Sequence, residues 1–140
     1  MSKDGPVLEL SVSVSRARRY ALTRFGSSIP EPVRVRALID TGATFSCLDT
    51  SVFARLNISS KGTVPTLTPG TGDVFQLLNR YDVDLEALAS REQNLFLFTD
   101  FPVLEASLAA QGIHALIGRD ILNRCLFLFD GPNVTFPLSL

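Results

Sequence analysis

Val35-Arg36-Ala37-Leu38-Ile39-Asp40-Thr41-Gly42-Ala43 is the stretch on which the reading of this 140-residue chain turns. An apolar run ends in a carboxylate, then a hydroxyl, then a glycine, which describes a buried strand delivering an acid to a tight turn. A lone Asp after a strand often does no more than cap its turn, so Asp-Thr-Gly by itself is a weak signal. Its weight rises with a second apolar-Gly segment about 75 residues downstream, Ala115-Leu116-Ile117-Gly118-Arg119-Asp120-Ile121-Leu122.

Working outward, the pattern is mostly two-fold. Val33, Val35, Ala37 and Ile39 alternate into the Asp40 turn, and Leu8, Leu10, Val12 and Val14 alternate with Glu9, Ser11, Ser13 and Ser15. Residues 20–25 are expected to continue that sheet before a Gly-, Ser- and Pro-rich loop at 26–32. Asp49, Thr50 or Ser51 can cap a short helix that presents Val52, Phe53 and Leu56 on one face. Residues 63–76 read as a hairpin with the tip Thr68-Pro69-Gly70-Thr71-Gly72-Asp73. Tyr81, Val83, Leu85 and Ala87 face inward, leaving Asp82, Asp84 and Glu86 as the wet face of a strand. A short strand at 95–98, a helical turn or two at 104–111, a strand at 115–117 and a brief helix at about 120–124 follow. Residues 126–129 and 134–138 complete the strands, separated by the turn Asp130-Gly131-Pro132-Asn133. Phe127 and Phe129 suit the core or an interface, and Pro137 suits an edge. The expectation is an all-β barrel or folded sheet with one or two short helices, a single domain over residues 1–140 with its core at about 7–138.

Composition narrows the function. Apolar residues make up 46 % of the chain and charged residues 19 %, which excludes a disordered polyelectrolyte. A net charge of −1 with no Lys/Arg run gives no electrostatic case for nucleic acid. The N-terminal residues lack a signal-peptide core. The most apolar long stretch, 94–110, is broken by Asp100, Pro102 and Glu105, so membrane insertion is not expected. The cysteines, Cys47 and Cys125, are expected as free buried thiols and the protein as cytoplasmic. One His (His114) and two distant Cys make neither a metal ligand set nor a Cys-His catalytic pair with a defined orienting partner.

On its two segments, Asp40-Thr41-Gly42-Ala43 and Ala115-Leu116-Ile117-Gly118-Arg119-Asp120-Ile121-Leu122, the chain resembles the retropepsin family over residues 33–138. These are the single-domain aspartic proteases of retroviruses and their cellular and bacterial relatives. The resemblance implies an acid-protease barrel and hydrolysis of extended polypeptides, with water as nucleophile and no cofactor. Hydrolysis without a covalent intermediate needs a base for the water and an acid for the leaving amide. Two carboxylates sharing one proton supply both, because like charges about 3 Å apart cannot both ionise. The chain holds a single Asp-Thr-Gly, so the expected solution is a homodimer with Asp40 contributed twice.

By the same resemblance, Thr41 would hydrogen-bond across the interface, Gly42 would let the loop approach its mate, and Ala43 would keep the cleft floor small. Ile117 and Gly118 would support the Asp40 loop from behind, and Arg119 would anchor it through a salt bridge to Asp49 or Asp120. Ser46 would hydrogen-bond within the active-site loop. The 63–76 hairpin occupies the place of the family's flap, so Thr68, Gly70, Gly72, Val74 and Phe75 would meet substrate. Leu48, Leu67 and Ile117 would help line an apolar cleft. Thr44 and Phe45 stand where retroviral members commonly carry an acidic residue, so backbone recognition of substrate differs from theirs. Either the 8–14 or the 134–138 strand would pair at the dimer interface. The competing class is a catalytically inactive module that keeps this fold for dimerisation or peptide binding.

Overall fold

The computed structural model describes residues 7–67, 75–88, 94–124, 128–130 and 133–135. Among the described residues nine strands and three short α-helices occur in the order β1 (Val7–Val14), α1 (Arg16–Arg24), β2 (Val33–Ile39), β3 (Cys47–Asp49), α2 (Thr50–Leu56), β4 (Thr63–Leu67), β5 (Phe75–Leu88), β6 (Asn94–Ala106), β7 (Ala115–Ile117), α3 (Arg119–Leu122), β8 (Leu128–Asp130) and β9 (Asn133–Thr135). A 3-10 turn, Ala109–Gln111, precedes β7.

The strands run β1-β2-β7-β3-β6-β5, and β5 pairs back onto β1, closing a six-stranded barrel. β4 extends from β5 as a hairpin outside that ring. Registers align the apolar alternation. Leu10 faces Val35 on one side and Ala87 on the other, while Val12 faces Val33 and Leu85. β2 and β7 run parallel with Ala37 opposite Ala115 and Ile39 opposite Ile117. All of these residues are buried, because a strand's period of two sends every second side chain to the same interior.

Helix α2 lays Val52, Phe53 and Leu56 on this core. Phe53 stacks on Tyr81 with ring centroids 3.7 Å apart. Burying three such side chains stabilises by about 1.5–3 kcal/mol each before ordering costs. Asp49 caps α2, its carboxylate accepting from the Ser51 amide at 3.0 Å. Its other oxygen accepts from the Leu108 and Ala109 amides at 2.7 and 2.9 Å, tying the 3-10 turn to the helix start.

Several expectations are corrected. Residues 20–25 do not continue the sheet but form the end of α1 and its C-cap, Phe25, because Ser15 is an N-cap whose hydroxyl accepts from the Arg18 amide at 3.0 Å. The following Arg, Ala and Leu are strong helix formers, and Gly26 at φ +69° ends the run. The strand expected at 95–98 is the 13-residue β6, which reaches Ala106 and leaves only the 3-10 turn of the helix expected at 104–111. Asp84 is not on a wet face: it is buried, whereas Asp82 and Glu86 are half-buried. A register shift between Val83 and Leu85 opens room there, and Asp84 accepts from the Arg16 and Asp100 amides and from Arg19. At the chain end β8 and β9 pair as a separate two-stranded sheet. Cys125, Pro137 and the hairpin tip 68–74 lie outside the described residues. No helix among the described residues is long and apolar enough to cross a membrane.

Candidate active site

β2 ends at Ile39 and hands the chain to Asp40, whose amide bonds back to the Ile117 carbonyl at 2.9 Å. Parallel pairing of β2 with β7 therefore continues into the turn and fixes where the acid emerges. The Asp40 carboxylate accepts from the Gly42 amide at 2.9 Å, and the Ala43 amide bonds to the Asp40 carbonyl at 3.2 Å. Asp thus closes its own turn, which is what a short acidic side chain before Gly does well. Asp40 is half-buried, and Thr41 and Gly42 are exposed.

The second segment holds this turn from behind. The Arg119 amide bonds to the Ala43 carbonyl at 2.8 Å, and the Asp120 amide to the Thr44 carbonyl at 3.3 Å. Gly118 passes so close that a Cβ there would lie 2.8 Å from the Ala43 oxygen and from the Phe45 carbonyl group. Those obstacles are backbone atoms, so the crossing requires glycine. Sequence and structure agree that Ile117 and Gly118 run beside the Asp40 loop.

Arg119 makes a different contact from the one expected. Its guanidinium donates to the Thr44 hydroxyl at 2.9 Å and forms no ion pair among the described residues. Asp49 is occupied at α2. Asp120 is occupied too, accepting from the Ser46 amide at 3.0 Å, the Ser46 hydroxyl at 2.6 Å and the Ile121 amide at 2.8 Å. Ser46 in turn accepts from the Gly118 amide at 3.0 Å. Ser46, buried at 2 % exposure, therefore latches the acid-bearing segment to the 118–121 segment instead of bonding within its own loop. The Ser46–Asp120 latch was not foreseen. Its only trace in sequence is one hydroxyl and one carboxylate, each set within an apolar stretch.

Leu48 and Ile117, expected along a cleft, are each 1 % exposed and belong to the barrel core. Phe75 is 62 % exposed at the start of β5, opposite Leu67 of β4. Thr68, Gly70, Gly72 and Val74 lie outside the described residues.

Electrostatics sort the titratable groups. Asp49 is drawn up by burial but more strongly down by the Ser51 hydroxyl and the Leu108, Ser51 and Ala109 amides, to about 2. Burial, and secondarily the Asp120 charge, push the Cys47 thiol up to about 11. A thiol held protonated so far above neutrality is a poor nucleophile. Burial, with the acceptor Glu105, raises Tyr81, while Asn79 and Tyr81 donating to Glu105 lower that carboxyl. Among the described residues no group of three or more His, Cys, Asp or Glu side chains is placed to hold a metal ion.

Comparison with known proteins follows the same lines. The protein-family model described as "Aspartyl protease" matches residues 28–121. A retropepsin-like aspartic protease from Rickettsia conorii superposes with a TM-score of 0.53 at 14 % identity, covering 94 % of this chain and 91 % of that one. The EIAV protease in complex with the inhibitor HBY-793 aligns at 20 % identity and a TM-score of 0.43, covering 86 % and 88 %. The retroviral protease-like domain of Ddi1 from Leishmania major aligns at 20 % identity and 0.44, covering 94 % of each. No curated protein matches the sequence. The family match spans the Asp40 turn and Gly118 together with the strands that bring them into contact, and this chain belongs to the aspartyl protease family, with a retropepsin-like fold.

Proposed function

We propose that the chain is an aspartic endopeptidase whose catalytic pair is Asp40 and the partner subunit's Asp40, acting through water on extended polypeptides. One observation carries the reading. Asp49, Asp84 and Asp120 each accept three or more hydrogen bonds, whereas Asp40 accepts only the Gly42 amide among the described residues. Among the described residues its second oxygen accepts no bond, at the mouth of a turn braced by the Ile117 carbonyl and the Arg119 and Asp120 amides. A carboxylate held rigidly yet left half-satisfied is suited to a shared proton and a water molecule.

In this reading one carboxylate takes a proton from water while the other, protonated, donates to the leaving amide nitrogen. The site is incomplete in one protomer, which supports a homodimer. Among the described residues β1 is paired on both edges, to β2 and β5, whereas the β8–β9 hairpin pairs with no other strand and is the element that would pair with a second chain. Thr41 braces the two turns against each other and Gly42 lets them meet. The β4–β5 hairpin closes over the substrate as a flap, with Phe75 toward the peptide, and a peptide between flap and floor adds as a strand.

The test is turnover of a peptide library, read by mass spectrometry, by the parent chain and by Asp40→Asn. Loss of products in the variant supports the reading, and unchanged product formation overturns it in favour of a non-catalytic module. Activity per subunit should fall on dilution through dimer dissociation. It should also peak at mildly acid pH and decline once both carboxylates ionise.

A further inference from the structure

Charge is unevenly placed on this molecule. Residues 15–30 hold four arginines and no acidic residue, whereas the rest of the chain holds nine Lys and Arg against fourteen Asp and Glu. Those arginines lie on α1, a helix that buries none of its side chains. It contributes nothing to the core, yet its position is fixed. The buried Asp84 accepts from the Arg16 amide at 3.1 Å and pairs with Arg19 at 3.0 Å, and Asp100 accepts from the Ala17 amide at 3.1 Å. Asp100 itself sits at φ +50°, a conformation that costs a non-Gly residue energy.

What this anchoring presents is cationic and aromatic. Arg16 and Arg18 are exposed and without an ion pair among the described residues. Arg24 lies 5.8 Å from the Tyr20 ring centroid, with Tyr20 64 % and Phe25 84 % exposed. Beside the helix is a cavity of about 530 Å³, walled by Arg18 and Ala21 on one side and by Ile58, Ser59 and Lys61 on the other. Asp82 also lines it and offsets Lys61 at 3.9 Å, so Arg18 is its unbalanced charge.

We infer that this face docks an acidic stretch of a partner polypeptide, with carboxylates on Arg16, Arg18 and Arg24 and one side chain in the recess between Ala21 and Ile58. Charge complementarity selects an acidic occupant. Exposed Tyr, Phe and Arg are the residue types that dominate protein interfaces. The concave recess fits a side chain and is not filled by a flat lipid surface. The surface lies on the α1 side of the barrel and does not depend on the Asp40 reading.

The experiment is fluorescence anisotropy of labelled decaglutamate against the Asp40→Asn chain, which keeps turnover out of the readout. The expected result is saturable binding that weakens with salt and falls about tenfold or more in Arg16→Glu/Arg18→Glu/Arg24→Glu. Arg55→Glu, on the exposed side of α2, should bind like the parent. If the triple variant fails to unfold cooperatively, Arg18→Gln/Arg24→Gln replaces it, with a loss of about threefold or more expected. Equal binding by the arginine variants and the parent overturns the proposal. So does equal binding of decaglutamine, or tighter capture by phosphatidylserine vesicles or oligothymidylate than by decaglutamate.

Discussion

Two corners of the barrel use acidic side chains to hold main-chain amides, and they differ in what they hold. Behind the Asp40 turn, Asp120 grips Ser46, and Ser46 grips Gly118, so the carboxylate secures a loop that carries another carboxylate. Under α1, Asp84 and Asp100 secure a helix whose charged residues are all cationic and which exposes Tyr20. The first corner is built on close backbone crossing, with β2, β7 and Gly118 leaving no space for a side chain. The second is built on side-chain anchors alone. On the proposed reading, an acid is available for chemistry when its neighbours do most of the holding, and Asp40, which accepts only the Gly42 amide among the described residues, is the acid in that position.

The largest expected effect breaks the comparison at its centre. Asp40→Asn should abolish peptide turnover by about a thousandfold or more while leaving the thermal midpoint nearly unchanged, because that carboxylate accepts only one local amide bond. Asp49→Ala should do the reverse. It removes the acceptor for the Ser51, Leu108 and Ala109 amides, so a destabilisation of about 3 kcal/mol is expected in denaturant unfolding. The same group predicts a pH effect. Its folded pKa is depressed from 3.8 to about 2, so its contribution is complete above the unfolded value and is lost as pH falls through the folded one. Between pH 5 and pH 2 the parent should therefore lose about 2 kcal/mol more stability than Asp49→Asn.

Most of the barrel was legible because its strands obey a period of two, and the Asp40 turn because its residue types are chemically constrained. Val33, Val35, Ala37 and Ile39 point where alternation puts them, as do Tyr81, Val83, Leu85 and Ala87. α1 was misread because Tyr20, Leu22 and Phe25 give no clear period, and the deciding signal, the Ser15 cap, looked like one more polar position of β1. Asp84 was misread because a register shift is invisible to alternation. The Ser46–Asp120 latch and the Thr44 contact of Arg119 join residues more than 70 positions apart. Spacing carries no information about such a choice of partner, and only the fold decides that Asp120 spends itself on Ser46 and leaves Arg119 to Thr44.

Gly118→Ala tests the backbone crossing directly. The added methyl would meet three main-chain atoms at 2.8 Å, and none of them can rotate away. A loss of about 2 kcal/mol is expected from overpacking. Because the displaced atoms belong to Ala43 and Phe45, kcat should fall further than stability alone explains, measured at a temperature where the variant is fully folded. An unchanged kcat with reduced stability would mean that the crossing serves the barrel and not the acid.

The smallest effect concerns Arg119. Its hydrogen bond to Thr44 is exposed, so Thr44→Val should cost only about 0.5 kcal/mol. Thr44→Asp would place a carboxylate within reach of the same guanidinium and give Arg119 an ion pair that it lacks among the described residues. Its gain in stability should be of similar size and should vanish at high salt, since both partners face water. If Thr44→Val instead costs several times that amount, the Arg119 contact braces the Asp40 turn as strongly as the Ser46–Asp120 latch does, and the division between rigid scaffold and available acid must be redrawn to include it.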